Sequence, residues 1–123
     1  MSMALNEKVI KRLVRKKRIR SKVKGTKDRP RLTVFKSLKH IYAQIIDDSE
    51  GHVLVSSSSL SKKFKEKMKT GGNIKAAKLL GEIIAEEALQ KKITKVVFDR
   101  NGCQFHGRIK SMADSIREKG IQF

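Results

Sequence analysis

Between Lys8 and Lys27 the chain places 11 lysines and arginines in 20 residues and no acid. So dense a run of one sign cannot pack into a core, because burying unpaired charge is costly and neighbouring charges repel. It sets these residues apart from whatever globular unit follows. Residues 1–40 hold 15 Lys/Arg against Glu7 and Asp28, and residues 41–123 hold 15 against 10, so most of the net +18 sits in the first third. The 123 residues are therefore read as a basic arm, 1–27, joined to one globular body, 28–123. A chain this basic calls for an anionic partner, and nucleic acid is the usual one. No run of 18 apolar residues is present, and Met1 to Glu7 lacks an apolar signal-peptide region. The lone Cys103 offers neither a disulfide nor a cysteine zinc site.

Within the arm, Val9, Ile10, Leu13 and Val14 form two i,i+4 apolar pairs, which predicts a helical start. From Arg15 onward cations crowd every face, and this part gains order against phosphates rather than alone. A solubilising or targeting tail is one alternative. A membrane-surface helix is another, disfavoured because the arm has no Trp or Phe.

The body opens at Asp28-Arg29-Pro30, where proline favours an extended start. Leu32–Phe35, His40–Ile46 and His52–Ser56 read as three strands of an antiparallel meander, with polar turns between them. Ser56–Ser59 reads as a strand end with helix entry, and Lys62–Lys69 is basic without a clear period. Asn73 is a good N-cap for a helix Ile74–Gln90, whose Ala77, Leu80, Gly81, Ile84 and Ala88 share one face. Lys95–Asp99 is a short apolar strand expected to be covered on both faces. A last helix, Arg108–Lys119, aligns Ile109, Met112, Ala113 and Ile116, with Gly120 closing it. The expected fold is an α/β (α+β) mixed sheet in the order β-β-β-α-β-α, its fourth strand parallel to a central one, behind a partly helical arm.

RNA binding asks for cations at phosphates, planar groups against unstacked bases and small polar groups at sugars. The arm supplies Lys11, Arg12, Arg15, Lys16, Lys17, Arg18, Arg20, Lys22 and Lys24, and the start of the body adds Arg29 and Arg31. Lys36, Ser37, Lys39, His40, Tyr42 and Gln44 gather all three kinds of group within one turn and strand. Tyr42 packed under a helix and His40 as a plain turn residue is the alternative there. Arg100, His106 and Arg108 flank a glycine-bearing loop before the last helix, where a phosphate could be clamped. That loop also reads as an ordinary strand-to-helix connection.

The stretches Asp28–Ser37, Lys39–Gln44, Ile46–Asp48, Val97–Gly102, His106–Arg108, Ala113-Asp114 and Gly120–Phe123 together resemble the bacterial L18 family of ribosomal proteins. The resemblance runs from the arm to the last residue. It implies a cytoplasmic structural constituent of the large ribosomal subunit. Such a protein binds 5S rRNA and helps attach it to 23S rRNA in the central protuberance, beside neighbouring ribosomal proteins. No catalytic residue, metal, cofactor, membrane or small-molecule substrate is implied. The chain departs from the family at Cys103, usually aromatic, and at Phe105, usually Tyr. Other cytosolic RNA-binding roles remain alternatives. A ribonuclease H-like enzyme is a remoter one, since Asp47, Asp48, Glu50, Asp99 and Asp114 show no converging metal-binding pattern. A DNA-binding protein lacks support, with no helix-turn-helix or zinc spacing.

Overall fold

Alternating apolar residues on the first two strands turn one face of a sheet into a core surface and leave the other face open. In the computed structural model, which describes residues 9–15 and 24–123, helix α1 spans 9–15 and strand β1 runs Arg31–Lys36. Strands β2 (Ile41–Asp47) and β3 (His52–Ser58) follow. Helix α2 (Lys62–Lys65) is one turn, α3 runs Ile74–Gln90, β4 Val97–Asp99 and α4 Gly107–Glu118. The four-stranded sheet has the order β3-β2-β1-β4. β1 pairs antiparallel with β2 and parallel with β4, so the strand beyond the helix does join a central strand in parallel.

Register explains the two faces. Leu32 lies opposite Ile45 and Val34 opposite Ala43, and all four are buried with Ile41 and Val55. Phe35 opposite Tyr42 and Thr33 opposite Gln44 point the other way, and Gln44 continues to Ser56 on β3. α3 lies over β2 and β3, and α4 packs on α3. Asn73 caps α3 by accepting from Ala76 N–H at 2.8 Å. At the helix crossing, a Cβ on Gly81 would sit 2.7 Å from the Met112 carbonyl oxygen, so the absence of a side chain sets how closely α3 and α4 approach.

Two expectations are corrected, and one stretch left open by the sequence gains a structure. β4 is an edge strand whose Val97 and Phe98 are only half-buried, so it is not covered on both faces. Its apolar character serves a cluster in which Phe98 stacks on Phe123 and meets Phe105 edge-to-face. The basic stretch after Ser61 folds into a helical turn because Phe64 is fully buried beneath it. Arg31, read from sequence as an RNA contact, is 5% exposed. Its guanidinium lies between Asp48 and Asp99 at 2.9 and 2.7 Å. Burial works against its charge, but hydrogen bonds and Coulomb attraction from the two carboxylates outweigh it and raise its pKa above the ordinary arginine value.

Candidate nucleic-acid interface

α1 stands beside the open sheet face. Arg12 holds its guanidinium over the Phe35 ring, 5.8 Å from the centroid, and Arg15 Nε donates to the Gly102 carbonyl at 2.9 Å. Lys11, Arg12, Arg15 and Lys36 line a cleft of about 430 Å³, completed by Cys103 and Gln104. Four cations meet there, and none of the lining groups is a carboxylate. Mutual repulsion makes such a cleft an attractor for a polyanion, which relieves it and releases counterions.

Beyond Phe35 the chemistry changes. A second hollow, about 270 Å³, is lined by Thr33, Val34, Phe35, Tyr42, Gln44 and Asn101. Phe35 and Tyr42 rings are tilted at 5.7 Å, and His40 continues the row 6.4 Å from Tyr42. Aromatic faces, two amides and a hydroxyl, next to a cationic cleft, make a surface suited to unstacked bases on a sugar-phosphate strand. Tyr42 does not pack under a helix, because both long helices occupy the opposite face.

The turn leading to this face is held from behind. His40 N–H donates to Ser37 Oγ, and His40 Nδ1 bonds Ser59 Oγ at 3.0 Å. Arg108 reaches the same turn, donating to the carbonyls of Ser37, Gly71 and His40 at 2.7, 2.9 and 3.2 Å. That use differs from the phosphate clamp read from sequence. Arg100 instead donates to the Cys103 carbonyl, and His106 is the exposed N-cap of α4, so the three groups do not converge. Cys103 itself is buried, 6% exposed, rather than standing at a loop tip.

Lys24, Arg29, Lys36 and Lys39 are exposed, and Ser37 is half-buried in the turn. Lys16, Lys17, Arg18, Arg20 and Lys22 lie outside the described residues. Sequence reasoning missed Phe35, Thr33 and Asn101. Alternation within β1 separates Phe35 from Leu32 and Val34, but only the β1–β2 register puts it beside Tyr42.

The carboxylates also have their places. Asp48 and Asp99 flank Arg31 and Asp47 accepts from Ser49 N–H, while Glu50 and Asp114 are exposed, and among the described residues no three acids gather as an RNase H-like reading would need.

Residues 6–123 match the family described as ribosomal L18 of archaea, bacteria, mitochondria and chloroplast. The chain belongs to that family. It is 57% identical over 112 residues to the large ribosomal subunit protein uL18 of Dictyoglomus thermophilum, covering 91% of this chain and 92% of the relative. The uL18 of Caldicellulosiruptor saccharolyticus is 58% identical over 113 residues, 92% of this chain and 91% of its own. That of Geobacter metallireducens is 53% identical over 119 residues, 97% and 98% respectively. The protein is thus a structural, non-enzymatic component of the large ribosomal subunit, with ribosomal RNA and other ribosomal proteins as its partners. Its place is the ribosome, in the cytoplasm. Among the described residues no helix is long and apolar enough to cross a membrane.

Proposed function

We propose that this protein binds 5S rRNA and helps attach it to 23S rRNA in the central protuberance. In this reading residues 1–27 act as an RNA-binding arm on the body 28–123. The observation that carries it is the contact linking the two hollows, with Arg12 of the cationic cleft seated on Phe35 of the aromatic and amide platform. A phosphate strand in the first would present its next bases to the second. Lys39, His40, Tyr42 and Gln44 extend the platform along the turn and β2, and Lys16, Lys17, Arg18, Arg20, Lys22 and Lys24 extend the cationic tract along the chain. Phosphate contacts of this kind position the protein, and the platform supplies discrimination.

The two halves separate in one titration. With 5S rRNA affinity measured against salt, Lys11→Ala/Arg12→Ala/Lys36→Ala removes three cations and should lower the slope of log affinity on log salt by about two. Tyr42→Ala should cost about 1–3 kcal/mol with little change of slope, the cost of losing one stacked base. An unchanged slope in the first variant, or a Tyr42→Ala loss matched by a fall in melting temperature, would remove that residue set from the interface. Release of the protein from large subunits together with 5S rRNA on mild stripping checks the RNA partner itself.

A further inference from the structure

Gly25 is the point where the basic arm meets the sheet. Its N–H donates to Asp48 Oδ2 at 2.7 Å, and its carbonyl accepts from the Asp48 N–H at 3.2 Å. A Cβ at this position would lie 2.3 Å from the Arg31 nitrogen and 2.6 Å from the Ile46 carbonyl oxygen, so glycine alone fits. Asp48 is itself gripped in two places, by Arg31 Nε at 2.9 Å and Nη2 at 3.0 Å. The remaining Arg31 nitrogen, Nη1, reaches Asp99 Oδ2 at 2.7 Å. Asp99 Oδ1 accepts from the Asn101 N–H at 2.9 Å, and the next carbonyl, that of Gly102, accepts from Arg15.

One chain of contacts therefore leads from Gly25 through Asp48, Arg31 and Asp99 to Asn101, Gly102 and Arg15. Its two ends bracket the most cationic stretch of the sequence, which carries Lys16, Lys17, Arg18, Arg20, Lys22 and Lys24 between them. We infer that Arg31, Asp48 and Asp99 are positioning residues for RNA. They fasten the arm to the body at both Gly25 and Arg15, and so set where its cations meet the phosphate strand. The inference rests on the RNA reading of the arm. Its physical basis is that holding both flanks beforehand lowers the ordering cost of binding, a cost that like-charge repulsion makes larger. Arg31 suits the hub because its planar fork has three nitrogens to spend and its charge is permanent. The network lies on the face of the sheet opposite its apolar core.

Asp48→Asn in the full chain keeps the shape and removes one charge from the fastening. Three measurements read it: 5S rRNA affinity across salt, the rate of trypsin cleavage between Arg12 and Lys24, and the urea midpoint of the body. The expected result is at least fivefold weaker binding with a shallower salt slope. Arm cleavage should be at least tenfold faster at denaturant levels where the body remains folded. A Lys16→Gln/Lys17→Gln/Arg18→Gln background should blunt the binding loss, because the fastening then has less charge to place. Gly25→Ala, whose Cβ would collide with the Arg31 backbone and push the arm's junction off the sheet, should reproduce the effect and serves if Asp48→Asn folds poorly. An unaltered cleavage rate and slope, or an equal fold-loss in the neutralised background, overturns the proposal. If the neutralised variant binds 5S rRNA as tightly as the parent, the RNA reading of the arm is what fails. Cleavage needs no RNA, so the two failures are told apart.

Discussion

Three carbonyl oxygens, from Ser37, His40 and Gly71, converge on the Arg108 guanidinium, which is half-buried behind the β1–β2 turn. Each charge-assisted bond is worth about 1.5–3 kcal/mol, and the carbonyls left behind cannot pair with one another. Arg108→Ala is expected to lower unfolding free energy by about 2–3 kcal/mol, measured by urea melts. Arg108→Lys should recover only part, since an ammonium has no fork to span three acceptors. Any loss of RNA affinity should follow the loosened turn rather than a lost phosphate contact. Cys103 is buried at the wall of the cationic cleft, so Cys103→Phe has to displace packed neighbours or occupy that cleft, and is expected to lower stability or phosphate affinity rather than extend the binding face.

At the scale of elements, the α3–α4 crossing depends on one missing methyl. Gly81→Ala gains about 1 kcal/mol of helix propensity but puts a Cβ 2.7 Å from the Met112 carbonyl oxygen and 2.9 Å from Ser115 Oγ. Backbone lies in the way, so the helices must separate, and Ser115 Oγ loses its 2.7 Å bond to the Lys78 carbonyl. The net expectation is destabilisation, seen as a lower thermal midpoint. Long periodic elements were legible in the sequence: the helix from Ile74 to Gln90 with its Asn73 cap matches the observed one, and the last helix matches to within a residue. The meander strands were read to within two residues of their ends. What could not be read was pairing across the chain. An exposed arginine and a buried one look alike in sequence until a partner such as Asp99, 68 positions from Arg31, is brought beside it. The same reason hid Phe35 and removed Arg108 from the loop surface.

Viewed whole, the molecule has two unlike sides. On α3 and α4 the exposed Lys75, Lys78, Lys110, Arg117 and Lys119 are offset by the exposed Glu86, Asp114 and Glu118 and the half-buried Glu82 and Glu87, so that layer is near neutral. The unbalanced charge lies elsewhere, most of it in residues 1–40, with smaller excesses at Lys62–Lys69 and at Lys91, Lys92 and Lys95. The α3–α4 layer offers an approaching polyanion little attraction, and Lys11, Arg12, Arg15, Tyr42 and Gln44, all read from the sequence, line the hollows beside the open sheet face instead.

The parallel pairing of β1 with β4 has a kinetic meaning. The meander needs only neighbouring turns to close, whereas β4 must return across α2 and α3 before Asp99 can meet Arg31. Loop closure over that distance makes β4 docking a late event, and until it happens Arg31 has lost half of its counter-charge. Asp99→Asn should thus speed unfolding far more than it slows refolding, a pattern read from the two arms of a chevron plot. Asp48→Asn, which acts where the meander is already formed, should divide its effect between both arms. The last strand to arrive is then the first to leave, and its departure frees the hub to which the arm is tied.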